Sequence, residues 1–421
     1  MLNPRHLYTV ILWLLLPYVF FHLLWRARRQ AEYLQHIPER FGFYTLKSAQ
    51  AVIWLHTVSV GETRAAASLI QRLLATYPDH QILLTHTTPT GRVASEQLYQ
   101  DRVIRVYLPY DYPFAVKRFL RHFKPRTGVL LETEIWPNLI HHCRRAGVPL
   151  LLLNARLSEK SAERYARFPN LSQASLSQLH AIAAQSEEDA LRLNQLGAQN
   201  VSVMGNLKYD IEPPTDMLEI GKQLRALFGT DRAVFLAAST RVGEESLLLD
   251  VLRQLNNPAL LTVIVPRHPQ RFNEVATLLT QQNFRFQRRS ENRSIAPQTQ
   301  VVLGDSMGEM FSYYAACDIA FIGGSLLPFG GQNLIEACAV GKPVLIGPHT
   351  YNFTQASMLA VAQGAAVRVQ DANELALTLQ KLLLQPEKLR QMGTAGLSFV
   401  NANRGATDLA LAQISRAIAC T

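Results

Sequence analysis

Residues 51–86 read AVIWLHTVSVGETRAAASLIQRLLATYPDHQILLTH and contain one complete strand–helix–strand unit. The run at 51–56 is apolar up to His56, which is typical of a buried strand. Residues 63–77 place apolar side chains at helical spacing, and residues 81–86 form a second apolar run. Strands that are apolar on both faces and alternate with helices indicate a parallel sheet covered on both sides.

The same alternation recurs in two series along the chain, separated by Pro213 and Pro214. Paired prolines and a loss of periodicity mark a linker between domains. We therefore predict an α/β chain with two facing Rossmann-like domains, at residues 31–212 and 213–421, and a cleft between them. The other predicted strands cover residues 103–108, 128–132, 148–155, 180–186, 200–205, 233–239, 260–266, 300–305, 319–324, 342–347 and 365–369.

The composition is that of a folded protein with an uneven distribution of charge. The 421 residues are 48% hydrophobic and 18% charged, which excludes a disordered or collagen-like chain. The net charge is +10, and residues 1–170 hold 22 basic against 11 acidic residues. A basic half suggests nucleic acid or an anionic lipid surface as a partner. The four cysteines show no C-x-x-C spacing, so we expect incidental thiols in a reducing compartment.

An apolar segment at residues 7–25 predicts a membrane anchor within residues 1–30, either transmembrane or monotopic. The segment has no Asp, Glu, Lys or Arg, and as one helix it would span about 28 Å. Arg26, Arg28 and Arg29 follow it, and such a flank stays in the cytoplasm, so we expect the body there as well. A cleaved signal peptide is the alternative, but no A-x-A site follows the segment.

Several common catalytic signatures are missing from the sequence. It contains neither the G-x-G-x-x-G of a dinucleotide reductase nor the G-x-x-x-x-G-K-[ST] of a P-loop kinase. It also lacks H-E-x-x-H, C-x-x-C and D-x-D, so we expect no built-in metal site.

Two groups of carboxylates follow predicted strands in the first half. Glu62 sits at the start of a helix after the strand that ends at His56. There it either interacts favourably with the helix dipole or serves as a general base in the cleft. Glu132 and Glu134 end a later strand, where spacing i, i+2 would place both on one face, although a polar strand terminus has the same pattern. Asn154 and Arg156 follow the next strand.

The second half carries a glycine-rich loop that leads into a helix. Gly323 and Gly324 end a predicted strand, and Asn333 begins a helix with Glu336 in its first turn. A loop of this kind suits a phosphate, and the first-turn Glu suits ribose hydroxyls. The other polar candidates after strands here are Arg267, His268, Met307, Gly308 and Glu309.

The motifs occur in an order that resembles one enzyme family. They are GETRAAASLI, LPYDYP, ETEIWPNLI, NARLSEKS, GNLKYD, PRHPQRF, GDSMGEM and GGSLLPFGGQNLIEACAVGKPVLIGPHTYNF. Together they resemble the 3-deoxy-D-manno-octulosonic acid (Kdo) transferases of lipopolysaccharide assembly, from about Arg40 to Gly364.

The resemblance implies a GT-B glycosyltransferase that moves Kdo from CMP-Kdo to the lipid A precursor with inversion. It implies no cofactor and no metal, a catalytic body on the cytoplasmic side of the inner membrane, and lipid rather than nucleic acid as a partner. Glu62 matches the family's catalytic base, and Glu134 and Lys208 match charged cleft residues, with Gly323 and Gly324 as further cleft candidates. The positions that match CMP-binding segments are Pro266, Arg267, His268, Met307, Gly308, Glu309, Asn333, Leu334, Ile335 and Glu336.

The sequence departs from the family pattern at two places. GGHNPLEPAA reads GGQNLIEACA here, with Gln332 and Leu334, and STHEGEE reads STRVGEE, with Arg241 and Val242. Two alternatives stay open: a GT-B enzyme with a UDP-sugar donor, and a membrane-tethered binding protein without catalysis, which the basic half of the chain suggests.

Overall fold

The computed structural model describes residues 4–28 and 30–420, which form two compact units. The first unit comprises the chain up to Asp210 together with the segment from Arg404 onward, and the second is Ile211–Asn403. Arg29, one of the basic residues in the predicted anchor flank, lies outside the described residues.

The first unit is built on a seven-stranded sheet in the order β3-β2-β1-β4-β5-β6-β7, and every neighbouring pair is parallel. Its strands are β1 Ala51–His56, β2 His80–His86, β3 Ile104–Tyr107, β4 Pro125–Leu131, β5 Leu150–Ala155, β6 Ala181–Ala184 and β7 Val201–Val203. Apolar clusters lie on both faces of this sheet, as the unbroken apolar strands predict.

Helices precede and alternate with the strands of the first unit along the chain. They are α1 Pro4–Leu14, α2 Leu16–Ala27, α3 Val60–Ala65, α4 Ala67–Thr76, α5 Pro89–Tyr99, α6 Pro113–Phe123, α7 Pro137–Arg145, α8 Glu159–Ala166, α9 Pro169–Leu176 and α10 Glu187–Gln195. Short 3-10 turns lie at Ala31–Leu34, Ile37–Phe41, Gln100–Arg102 and Leu207–Tyr209. The helix predicted over 63–77 is two helices, α3 and α4, that meet at Ala66.

The second unit repeats the plan with a sheet in the order β10-β11-β9-β8-β12-β13-β14, again with parallel neighbours. Its strands are β8 Ala233–Thr240, β9 Leu260–Pro266, β10 Phe286–Arg288, β11 Val301–Leu303, β12 Ile319–Ile322, β13 Val344–Ile346 and β14 Ala366–Arg368. The predicted strands are confirmed to within a few residues; β10, which has three residues and two of them Arg or Gln, was not predicted.

The helices of the second unit follow the same arrangement along the chain. They are α11 Thr215–Phe228, α12 Glu244–Leu255, α13 Phe272–Gln281, α14 Met310–Ala316, α15 Ile335–Ala339, α16 Thr354–Ala362, α17 Ala372–Leu383 and α18 Pro386–Ala402. Two more 3-10 turns lie at Pro269–Arg271 and Arg289–Glu291. Two parallel-sheet α/β domains are thereby confirmed.

The last helix, α19 Ala406–Ala419, packs on the first unit. Four of its residues, Ala406, Ala410, Ile414 and Ala417, belong to the apolar cluster on one face of the first sheet. The Asp210 carboxylate accepts hydrogen bonds from the backbone N–H of Gly405, at 2.7 Å, and of Thr407. This differs from the predicted boundary, which kept residues 213–421 together, because the i, i+4, i+7 stripe of α19 does not reveal which sheet it covers.

The predicted anchor is not one continuous helix. α1 and α2 are separated at Leu15 and bent by 53°, and Pro17 in the first turn of α2 accounts for the break because it has no N–H to donate. Within residues 4–28 and 30–420, no single helix has the length and apolar composition needed to cross a membrane. α1 and α2 meet those requirements only as a bent pair.

Gly128 in β4 provides a test of core packing in the first unit. A Cβ at this position would lie 2.5 Å from Trp54 Cε3 and 2.8 Å from Leu150 Cδ1, and Trp54 is fully buried. Gly128→Ala should therefore lower the free energy of unfolding by about 1–3 kcal/mol, measured by chemical denaturation. Gly61→Ala is the matched control because its new Cβ would meet only Ser59 Oγ at 3.6 Å. Equal stability of the two variants would contradict the packing described for β4.

Candidate functional site

The carboxyl ends of β1 and β4 form the switch point of the first sheet, where the strand order reverses. Ligands of open α/β sheets bind at such points because the chain leaves the two neighbouring strands in opposite directions. Glu62 follows β1, and Glu132 and Glu134 follow β4, so three of the carboxylates predicted to be functional lie at this position.

Glu62 is held in the first turn of α3 by hydrogen bonds to both carboxylate oxygens. Ser59 caps the helix by accepting from Glu62 N–H at 3.2 Å. In return, Oε1 accepts from the Ser59 hydroxyl at 2.8 Å, and Oε2 accepts from Val58 N–H at 2.7 Å. The side chain is 9% exposed, so the carboxylate is fixed in a single orientation.

The surroundings of Glu62 suit a general base. Burial raises the pKa of Glu62 above its usual value, the hydrogen bond from Val58 lowers it, and the nearby charge of Glu132 raises it again. A carboxylate with a raised pKa is a stronger base than one in water. The same hydrogen bonds stabilise the helix start, so this placement is compatible with both uses considered for Glu62.

Glu132 and Glu134 do not share a strand face as predicted, because β4 ends at Leu131 and Glu132 has a φ of 60°. The chain therefore turns at Glu132, and its carboxylate meets Lys208 Nζ at 3.4 Å. Glu134 Oε2 accepts a hydrogen bond from Trp136 Nε1 at 2.7 Å. Burial raises the pKa of Glu134 to about 7, and the charges of Glu62 and Glu132 contribute to that rise.

Lys208 is positioned by Asn154, which lies near the end of β5, has a φ of 52° and is 1% exposed. Asn154 Oδ1 accepts from Leu207 N–H at 3.1 Å, so it holds the 3-10 turn that carries Lys208. The structure thus brings Glu62, Glu134 and Lys208 into one neighbourhood around Glu132. Asn154 supports them through the backbone.

The second unit has its own switch point, at the carboxyl ends of β8 and β12. Ser239, near the end of β8, has a φ of 58°. A Cβ at Gly323 would lie 2.5 Å from Ser239 O and 2.7 Å from Thr240 Cα, so only glycine permits this approach of the two strand ends. Gly324 follows with a φ of 71° and turns the chain away from the sheet.

Arg267 and His268 stand beside this turn, and each contacts a residue at which the sequence departs from the family motifs. Arg267 N–H donates to Thr240 O at 3.0 Å, and its Nε donates to Gln332 Oε1 at 3.2 Å. His268 Nε2 lies 3.0 Å from Arg241 Nη1. Burial and the charges of Arg241, Arg267 and Arg271 lower the pKa of His268. Several guanidinium groups near one strand end suit an anion.

Glu244 is a structural member of this site that the sequence did not single out. It is fully buried at the start of α12, and Oε2 accepts from Arg241 N–H at 2.9 Å and from Gly324 N–H at 2.5 Å. Oε1 accepts from Leu326 N–H at 3.1 Å. Burial raises the pKa of Glu244, and these N–H groups lower it. The Gly-Glu-Glu run at 243–245, directly after a strand, was the available signal.

The remaining predicted residues differ in what they present to solvent. Met307 is 55% exposed, and Gly308 has a φ of 82° with no atom within 4 Å of the position that a Cβ would occupy. Glu309 accepts from Arg289 Nη2 at 3.1 Å and from the Ser306 hydroxyl at 2.5 Å. These residues occupy the turn before α14, as predicted.

The segment before α15 presents two polar and two apolar side chains. Asn333 Oδ1 accepts from Ile335 N–H at 3.1 Å, and its Nδ2 donates to Glu336 Oε1 at 3.2 Å. Leu334 and Ile335 are both 1% exposed, and Pro266 is also buried. α15 begins at Ile335, two residues later than predicted.

Side chains of the types that ligate metals are scattered rather than clustered. In the part of the chain that the structure describes, no three His, Cys, Asp or Glu side chains come together in a way that could hold a metal ion. Cys143, Cys317 and Cys338 are buried, and burial raises their thiol pKa values, whereas Cys420 is exposed.

Comparison with known proteins relates both units to glycosyltransferases. Residues 35–211 match the family model described as 3-deoxy-D-manno-octulosonic-acid transferase (kdotransferase), and residues 232–398 match glycosyl transferases group 1. The crystal structure of a glycosyltransferase from Rickettsia africae is similar in fold, with a TM-score of 0.58 at 13% identity over 88% of this chain and 99% of that chain.

Two curated relatives cover almost the whole chain. The 3-deoxy-D-manno-octulosonic acid transferase of Bordetella pertussis is 40% identical over 418 residues, 96% of this chain and 97% of the relative. That of Haemophilus influenzae is 39% identical over 409 residues, 96% of each chain. The protein is therefore a glycosyltransferase enzyme, and the chain belongs to the 3-deoxy-D-manno-octulosonic acid (Kdo) transferase family.

Proposed function

We propose that the protein transfers Kdo from CMP-Kdo to the lipid A precursor (lipid IVA) during lipopolysaccharide core assembly. The observation that carries this proposal is the Glu62 carboxylate, which is buried, fixed by hydrogen bonds and raised in pKa at the switch point of the first sheet. Membership of the Kdo transferase family supports Kdo as the transferred sugar. The resemblance of the motifs supports CMP-Kdo as the donor and the lipid A precursor as the acceptor.

Glu62 acts as the base in this proposal. Its carboxylate accepts the proton of an acceptor hydroxyl, the hydroxyl oxygen forms the new bond to the anomeric carbon of Kdo, and the bond from that carbon to the CMP phosphate oxygen breaks. Direct displacement inverts the anomeric centre and releases CMP. No cofactor or metal takes part in the proposed reaction.

Arg267 stabilises the leaving CMP in this proposal because its guanidinium stands at the switch point of the second sheet. The other proposed donor-binding residues differ in the kind of contact that they offer. Asn333 and Glu336 offer polar side chains to ribose hydroxyls or phosphate, and Met307, Gly308 and Glu309 offer an open turn. Pro266, Leu334 and Ile335 are buried parts of the same segments.

The acceptor and the membrane account for the charge of the first half of the chain. Residues 1–170 carry twice as many basic as acidic residues, 22 against 11, which suits a bisphosphorylated lipid and an anionic leaflet rather than nucleic acid. We place the enzyme on the inner membrane, attached through its N-terminal segment, with the catalytic body on the cytoplasmic side.

Glu62→Gln should lower kcat by roughly 10²–10⁴-fold and leave CMP affinity unchanged, because the amide keeps the shape and one acceptor oxygen but cannot take up a proton. Turnover is measured by mass spectrometry of the lipid product made from CMP-Kdo and lipid A precursor. Thermal unfolding verifies that the variant is folded.

Arg267→Gln is the matched control in the other unit, and it should weaken CMP binding by at least about tenfold because a charge-assisted hydrogen bond is lost.

Near-normal turnover of Glu62→Gln would remove Glu62 from the mechanism. Faster turnover with a UDP-sugar than with CMP-Kdo would overturn the proposed donor.

Glu134→Gln should stabilise the protein at neutral and alkaline pH. The pKa of Glu134 is about 7 in the folded protein against a usual value of 4.5, so the folded state retains a proton that the unfolded chain releases. Wild-type stability therefore falls as pH rises from 4.5 to 7, whereas a glutamine does not titrate. The melting temperature of the variant relative to wild type should rise across this window and then level off. The variant Glu163→Gln, at an exposed carboxylate, is the control. A flat difference between Glu134→Gln and wild type would contradict the burial of the Glu134 carboxylate.

A further inference from the structure

Helix α1 has two faces of different chemistry. Residues 5, 8, 9 and 12 recur at i, i+3, i+4 and i+7, and so do residues 7, 10, 11 and 14. With 3.6 residues per turn, the centres of these two sets lie about 200° apart around the helix axis. The first set is Arg5, Tyr8, Thr9 and Leu12, and the second is Leu7, Val10, Ile11 and Leu14.

The first face is bonded to the body of the first unit. Arg5 Nη1 and Thr9 Oγ1 each donate to Asn138 Oδ1 at 3.0 Å, and the Tyr8 hydroxyl donates to Asp111 Oδ2 at 3.1 Å. Both acceptors are buried, and Asp111 in turn accepts from the first N–H groups of α7, those of residues 138 and 139. These bonds fix the orientation of α1 on α7.

The contact continues to the end of α1. The Tyr112 hydroxyl donates to Leu12 O at 2.8 Å, and the Trp13 ring lies 5.2 Å from the Tyr112 ring. α1 is therefore held along its length, at residues 5, 8, 9, 12 and 13, by one surface of the first unit.

The second face is apolar and exposed, and exposed apolar side chains continue along α2. The side chains of this apolar surface on α1 and α2 are between 39% and 75% exposed, far more than those of the core. They are Leu7, Val10, Ile11, Leu14, Leu15, Tyr18, Phe20, Phe21, Leu24 and Trp25. A contiguous exposed surface of this kind marks an interaction site.

Basic residues border this apolar surface. The Trp13 ring lies 5.6 Å from Phe114 on α6, and the Arg118 guanidinium lies 5.2 Å from Phe114 and 4.1 Å from the exposed Phe43 ring. Lys117 and Arg121 on the same helix are also exposed. An apolar face bordered by Lys and Arg is complementary to the surface of an anionic bilayer.

We propose that α1 and α2 lie in the plane of one leaflet, with residues 7, 10, 11 and 14 in the lipid, and that α1 does not cross the bilayer. This inference rests on the membrane association proposed above and assigns its topology. The occupant of the apolar face is the interface of an anionic bilayer.

The length of α1 and its hydrogen bonds argue against a span. Eleven residues rise about 16 Å, roughly half of the hydrocarbon thickness. A crossing α1 that kept its contacts would carry Asp111, Asn138 and Arg5 into hydrocarbon. A crossing α1 that lost them would leave the buried Asn138 side-chain oxygen without its two donors. An in-plane helix retains every bond.

The side of the membrane that holds the N-terminus tests the topology. An epitope with a protease site is placed before Met1 in the full chain, and protease is added to intact spheroplasts and to inverted inner-membrane vesicles. The proposal expects cleavage only in inverted vesicles, on the same side as a second protease site inserted in the α12 region at the exposed Gln254. Cleavage in spheroplasts would show that the chain crosses the membrane and would overturn the proposal.

Flotation with lipid vesicles tests which surface binds. Val10→Asn with Leu14→Asn should reduce the bound fraction at least about tenfold on phosphatidylglycerol-containing vesicles, because two apolar side chains leave the lipid. Leu191→Asn with Leu377→Asn is the matched control, since both side chains are similarly exposed on the body but far from α1 in sequence. Equal loss in both double variants, or no loss in either, would contradict the assigned face.

Kdo transfer in detergent-dispersed substrate is measured on the same variants. The face variant should keep full activity there, because none of its positions belongs to the proposed catalytic or donor-binding groups. Correct topology with no transferase activity in any form of the protein would contradict the proposed function alone, whereas full activity with an N-terminus outside would contradict the topology alone.

Discussion

The parallel pairing of β1 with β4 and of β8 with β12 is the constraint on which the candidate functional groups depend. In each sheet these two strands lie next to each other while their following loops depart in opposite directions, so their carboxyl ends stay uncovered. Glu62 and Glu134 follow the first pair, and Gly323 and Gly324 follow the second. Residues elsewhere along the sheets face apolar layers, where a carboxylate would have no solvent or donor.

Local backbone geometry determines how the chain turns at the strand ends that the sheet topology brings together. Glu132, Asn154 and Ser239 adopt left-handed φ angles at strand ends, a conformation that costs energy for residues other than glycine and clusters at functional sites. Each occurs where the chain must change direction at once to keep a side chain at the strand end. Glu244 stabilises the equivalent turn in the second unit with three backbone hydrogen bonds instead.

Much of the fold was predictable because most strands here are long and apolar on both faces, a pattern that survives without knowledge of tertiary contacts. β10 was not predicted because its three residues, at the edge of the sheet, do not show this pattern. Glu62 and Arg267 were predictable from their place after a strand. For Glu244 the Gly-Glu-Glu run after a strand indicates only a helix start, since a first-turn glutamate usually faces solvent, and its burial follows only from the glycine loop folding over it. Pro17 is the sequence feature that accounts for the bend at Leu15, but the apolar run of residues 7–25 favours one continuous helix.

The attachment of α19 to the first unit has a consequence for synthesis of the chain. Ala406, Ala410, Ile414 and Ala417 complete an apolar layer whose other buried members lie before residue 211, and Asp210 binds the N–H groups at the start of this helix. The whole second unit is translated between those two halves. A ribosome that has finished the first 210 residues has therefore produced a sheet with one face incompletely covered, while the second unit can fold as it emerges. The first unit is therefore the first to be synthesised and the last to complete its folding.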